Sequence, residues 1–274
     1  MTTRCCAECG ACLEPAAPCL FGWMTCFYDD RVVWRSDDGA KRDEVALTID
    51  DVPREGMTVE HVYHLFNALK TTGPLVGRPA KATFFVIFDQ LKTVPRAVAE
   101  ALMNGIRDGG HEAGLHFAGR WGHTIEVDEL RRKAAEAMCL AQRRYSLTLR
   151  YVRMPGGFST PRQVTALHEL GLTVVNGTAY PFDADLCGCL PAAALGACAA
   201  RLSVRGGRIA ILHDSSTLQT KLEAFLAAAL GQGLRVVTLE RLLERIADAR
   251  STTTLGLREL CSSAVTAPLM PLKL

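Results

Sequence analysis

The chain has 274 residues, 49% of them apolar and 22% charged, with a formal net charge of +2. That balance builds a sizeable core and excludes wholesale disorder. No basic stretch is long enough to act as a nucleic-acid footprint, and no run of about 18 apolar residues is available to span a membrane. The N-terminal MTTRCCAECG has no apolar run behind its Arg, so no secretory leader is expected and a cytoplasmic location is.

Residues 1–40 read as a Cys-rich N-terminal segment. Six of the eleven cysteines fall there, at Cys5, Cys6, Cys9, Cys12, Cys19 and Cys26. Cys6-x2-Cys9-x2-Cys12 spaces thiolates for a soft metal, but no further cysteine follows at ferredoxin spacing and no downstream CxxC completes a zinc ribbon. A thiol-rich leader is the plain reading; a metal or redox site and disulfides are its alternatives. Residues 41–250 carry regular patterning. Residues 251–274, rich in Ser and Thr, read as a C-terminal tail.

Residues 45–49 form a short apolar run ending at Asp50-Asp51, as a buried strand does. Thr58 is a candidate N-cap for a helix whose Val62, Leu65, Phe66 and Leu69 share a face. Residues 82–88 are a second buried strand by their β-branched and aromatic content. A helix follows with Pro95 in its first turn, Val98, Leu102 and Ile106 on one face, and Gly109-Gly110 at its end. A strand over 112–116, a helix over 126–144 and a strand over 151–153 come next. Thr160-Pro161-x-Gln163 opens a helix as a capping box, Val164, Leu167 and Leu170 form its buried face, and Gly171 stops it. Strands over 172–176 and 208–212 follow. A helix over 217–230, a strand at Val236-Val237 and a helix over 239–249 complete the pattern. This alternation argues for an α/β fold with a parallel sheet, and about seven units suit a barrel better than a doubly wound sheet. No GxGxxG follows the first strand, which counts against a dinucleotide site.

In a parallel barrel the chemistry sits at the C-terminal strand ends. Those ends carry Asp50-Asp51, His116, Arg153 ahead of Pro155-Gly156-Gly157, Asn176 ahead of Tyr180-Pro181-Phe182-Asp183, and His213-Asp214. One Asp after one strand is ordinarily a turn or a cap. Carboxylates, imidazoles and a guanidinium on several strand ends together point to a functional cleft.

These residues resemble the NodB-homology polysaccharide deacetylases, a carbohydrate esterase family. Thr48-Ile49-Asp50-Asp51 is close to the family's T-F-D-D, and Gly110-His111-Glu112-Ala113-Gly114-Leu115-His116 to its G-H-E-x-G-N-H. Arg153-x-Pro155-x-Gly157 is similar to R-x-P-x-G, Ile211-Leu212-His213-Asp214 to L-L-H-D, and Ala82-Thr83-Phe84-Phe85 to the A-T-F-F of the second strand. The motifs run in family order across residues 45–240. The resemblance implies a distorted, incomplete (β/α) barrel of about seven parallel strands. It implies a divalent metal, zinc first, and hydrolytic removal of N-acetyl groups from a glycan. Asp50 would be the general base, Asp51 and His116 metal ligands, and His213 the general acid. Arg153 would orient Asp50 or Asp183, the N–H of Gly156 would face the oxyanion, and Ile211 would line a pocket for the acetyl methyl. Tyr180 and Trp121 are candidates to stack on a sugar ring. Tyr180-Pro181-x-Asp183 is similar to a Y-P-x-D run in relatives of this barrel that lack one metal histidine.

The departures are specific. The family's second motif is H-x-x-x-H, and here the second position is Arg120, whose guanidinium has no lone pair to offer a metal. His123 is the candidate replacement, with Glu126 behind it. Val52 stands where a Gly usually follows T-F-D-D. Two further readings therefore stand beside the deacetylase: a metal-independent amidohydrolase of the same fold acting on a small amide, and an inactive glycan-binding barrel.

Overall fold

A computed structural model describes residues 31–34, 43–71, 79–119, 122–181, 183, 191–203 and 208–247. Arg120, Trp121, the expected tail, and the expected N-terminal segment apart from 31–34 lie outside the described residues.

The described strands form one parallel sheet of β1 (Glu44–Val52), β2 (Thr83–Ile87), β3 (Glu112–His116), β4 (Tyr151–Arg153), β5 (Thr173–Val174), β6 (Arg208–His213) and β7 (Arg235–Val237). The order is β5-β4-β3-β2-β1-β6, with β7 also on β1. Because β6 pairs β1 from Val45 to Asp50, β7 takes the opposite edge at Glu44–Ala46, below the point where β2 joins at Thr48. The connecting helices are α1 (Val59–Thr71), α2 (Arg96–Asp108), α3 (Val127–Tyr145), α4 (Pro161–Glu169), α5 (Ala192–Leu202), α6 (Leu218–Gly231) and α7 (Leu239–Ala247).

The sheet curls into the distorted, incomplete barrel that the strand pattern and the motifs imply. Val33 bridges Val175 just beyond β5, and Ala179 bridges Ala210 of β6, so the two edges approach through single bridges instead of a ladder. The sheet thus reaches back to Val33, ahead of the barrel boundary expected at residue 41. Strands covered on both faces read as near-continuous apolar runs, and every residue of β1 except Asp51 is buried. Outside the curl, Leu47, Ile49, Phe84, Val86 and Leu115 pack under Val62, Leu102, Ile106, Leu130 and Phe225 of the helices. Each large aliphatic side chain removed from water there contributes about 1.5–3 kcal/mol. Inside, Ala46, Phe85, Tyr151, Val175 and Ile209 meet Leu239, Leu242 and Leu243 of α7, which closes the floor.

The capping box forms as its spacing requires, with Gln163 N donating to Thr160 Oγ1 at 3.3 Å and Thr160 N to Gln163 Oε1 at 2.8 Å. Two elements differ from the sequence reading. The strand expected over 172–176 shortens to Thr173–Val174, because Asn176 N turns to the Val33 carbonyl at 2.8 Å. Helix α5 is absent from that reading. Its Ala-rich run offers no large apolar side chains at helical spacing, so periodicity is silent, although Ala is the best helix former. Small residues there let the helices touch: a Cβ on Gly196 would meet the Lys221 carbonyl at 1.9 Å.

Candidate active site

Alternation along β1 sends Asp50 to the inner face and would send Asp51 to the other. The register of β1 on β2 shifts between Ile49 and Val52, and Asp51 takes φ 63, in the left-handed region that Asp tolerates better than most residues. This turn brings both carboxylates to one rim. Asp51 is 44% exposed there, whereas the Asp50 side chain is 3% exposed.

Arg153, at the end of β4, holds Asp50. Its Nη1 donates to Asp50 Oδ1 at 2.6 Å and to Thr48 Oγ1 at 2.7 Å. Its Nε and Nη2 donate to the carbonyls of Val175 and Asn176 at 3.1 and 3.3 Å. The guanidinium lies over the Phe85 ring at 4.3 Å. That ring fits because β3 has Gly114 opposite, where a Cβ would come within 2.7 Å of it. Of the two carboxylates the resemblance left open, Arg153 binds Asp50.

His116, at the end of β3, is buried. Its Nδ1 lies 2.6 Å from the Arg153 carbonyl, which can only accept, so Nδ1 carries the proton. Nε2 then faces Asp51 Oδ1 at 3.2 Å. Burial pushes the Asp51 carboxyl up, but the hydrogen bond and charge of His116 and the charge of His213 outweigh it and hold the group below its ordinary range. An imidazole nitrogen and a carboxylate oxygen this close, with the second ring nitrogen anchored on a carbonyl, are a donor pair suited to a divalent cation. Among the described residues no third His, Cys, Asp or Glu joins them. His123 is exposed on the turn Gly122–Thr124, edge-on to Phe158 at 5.9 Å, and does not join them.

His213 ends β6 directly opposite Asp50 in register. The Ala179 bridge lays the following segment beside β6, which brings Tyr180 and Asp183 to it. Asp183 accepts from His213 Nδ1 at 2.8 Å and from its peptide N–H at 2.9 Å. His213 Nε2 is left facing Asp50 Oδ2 at 4.0 Å. Burial pushes the imidazole down, but the Asp183 hydrogen bond and the charges of Asp50, Asp183 and Asp51 raise it above its ordinary value. Burial likewise pushes Asp183 up, and His213 and Lys221 more than offset it. Lys221 of α6 pairs with Asp183 and is itself fully buried. Motif reading does not reach Lys221; its signal is a charge three residues after Leu218 on the helix's apolar face.

The remaining candidates line the same rim. Ile211 lies two residues before His213, on the same face of β6, and is 9% exposed. The Tyr180 ring lies 5.3 Å from that of His213. Gly156 is exposed on the turn after Arg153, at φ 64. Asp214 accepts from the Arg54 peptide N–H at 2.9 Å, and burial pushes its carboxyl up to about 6.

A family model described as polysaccharide deacetylase matches residues 37–175. No curated protein sequence matches the chain. Among solved structures the chain is similar to a peptidoglycan N-acetylglucosamine deacetylase, at 19% identity and TM-score 0.64 over 81% of this chain and 95% of that one. It is similar to a CE4 family pseudoenzyme from Bacillus anthracis, at 19% identity and TM-score 0.62 over 79% and 70%. A family 4 carbohydrate esterase from Streptomyces lividans, solved with acetate, gives 17% and 0.55 over 71% and 91%. At these identities the structural likeness speaks for the fold.

Proposed function

The chain belongs to the polysaccharide deacetylase family, and on that premise we propose that it hydrolyses the acetamido carbon–nitrogen bond of an acetylated glycan. The observation that carries this reading is the register pair Asp50–His213. The two side chains face each other at 4.0 Å, and each is held by its own partner, Arg153 for Asp50 and Asp183 for His213.

Arg153 occupies Asp50 Oδ1 and leaves Oδ2 toward the cleft. There Asp50 takes a proton from water as the oxygen attacks the acetyl carbon. His213 is protonated above its ordinary range and its Nδ1–H is committed to Asp183. Nε2 therefore delivers the proton to the leaving nitrogen, and acetate and a free amine result. Asp51 and His116 would hold a divalent cation, zinc by the nature of the donors, which when bound polarises the acetyl carbonyl and the water. Ile211 borders the acetyl methyl, Tyr180 one face of the sugar, and the Gly156 N–H the oxyanion.

The test is acetate release from acetylated chito-oligosaccharides and peptidoglycan fragments with added zinc. Asp50→Asn and His213→Ala should each lower turnover by about 10²-fold or more in protein that circular dichroism shows to be folded. Wild-type turnover in either variant overturns the assignment. Zinc calorimetry should show one site lost in His116→Ala. Retention of glycan with no acetate release under any metal would assign the chain to the binding barrel, and chelator-resistant turnover of a small amide to the amidohydrolase.

A further inference from the structure

Lys221 is a buried charge that the proposed reaction does not itself use. It lies on the face of α6 that carries Leu218, Leu222 and Phe225, and is 1% exposed. Its Nζ donates to Asp183 Oδ2 and, at 3.0 Å, to the His213 carbonyl. Asp183 accepts from both the His213 peptide N–H and Nδ1. One ion pair thus grips His213 at its N–H, its carbonyl and its ring. Gly196 of α5 packs directly against the Lys221 backbone, which seals this stretch of α6 from water. A buried ammonium is costly, and a helix face that only packs would carry Leu or Met here.

Resting on the reading of His213 as proton donor, we infer that Lys221 is a positioning residue of the site. With Asp183 it fixes the His213 ring so that Nε2 faces the cleft, and its charge offsets that of Asp183 so that the ring can release its proton. Among the described residues, the charged and titratable groups facing His213 are Asp50 and Asp51 from β1, Asp183 and Tyr180 from the β5–α5 connection, and Lys221 from α6. The carboxylates hold the proton on the ring, and the ammonium bonded to Asp183 opposes them.

The test follows His213 by NMR of the full chain labelled with 15N-histidine, across pH, in wild type, Lys221→Met and Lys221→Gln. Acetate release from an acetylated chito-oligosaccharide with added zinc is read beside it. Met loses the charge; Gln loses it but keeps a donor for Asp183. The His213 midpoint should rise by about one pH unit in either variant, a tenfold change in proton affinity, with kcat reduced more than KM is altered. An unmoved midpoint in a folded variant overturns the proposal. So does failure of both variants to fold, which makes Lys221 a packing residue. A raised midpoint with no acetate release from wild type supports the Lys221 clamp and overturns the deacetylase reading alone.

Discussion

The rim residues Asp50 and Asp183 and the floor residue Glu112 are acidic side chains held in opposite ways. At the rim Asp50 meets Arg153, and Asp183 meets His213 and Lys221. At the floor Glu112 receives the Thr83 hydroxyl at 2.7 Å and the Glu240 peptide N–H at 3.3 Å, at the first turn of α7. Burial pushes that carboxyl up to about 7 from the ordinary 4.5, against those hydrogen bonds. At the rim the charges of His213 and Lys221 offset burial and hold the Asp183 carboxyl below its ordinary range. Neutral donors under a helix end leave Glu112 with a carboxyl that holds its proton up to about neutral pH.

The largest effect should come from unmatching a rim charge. Arg153→Met leaves Asp50 buried without its partner, which should cost about 3–5 kcal/mol in urea unfolding and abolish turnover. Leu242→Ala at the floor should cost about 2–4 kcal/mol by the cavity it opens, while acetate release per folded molecule stays near wild type. Loss of turnover beyond the unfolded fraction would show that the two ends are coupled.

Glu112 sharpens the contrast through pH. Its raised folded pKa means that the native state binds the proton more tightly than the unfolded chain. Its contribution is therefore present below the ordinary value and lost as pH rises through about 7, a fall of at most about 3 kcal/mol. Glu112→Gln should flatten that slope in urea titrations run from pH 5 to 8. The smallest effect should be that of His123→Ala, which leaves zinc affinity unchanged in calorimetry, since His123 stands apart from Asp51 and His116.

Much of the fold is legible in local patterns. β1 and β6 are apolar runs that lead into polar residues, β2 is β-branched and aromatic, and the Thr160–Gln163 box announces α4 by spacing alone. Helix α5 escapes because alanines bury a face without displaying one. The rim residues are legible as types at strand ends, and the motifs group them, but their partners are not. Whether Arg153 serves Asp50 or Asp183 depends on which strand ends the curled sheet brings together.

By itself, then, the sequence determined the alternation of strands and helices, the family motifs and the polar residues at the strand ends. These are local properties, set by periodicity and side-chain chemistry. Tertiary structure alone decided the rest. A register shift and a left-handed turn bring Asp51 to the rim beside Asp50, although neighbouring strand residues ordinarily face apart. The Ala179–Ala210 bridge carries Asp183 to His213 across 30 residues of chain, and α6 packing places Lys221 behind both. Such pairings join strand ends distant in the chain, and only closing the barrel fixes which charge meets which.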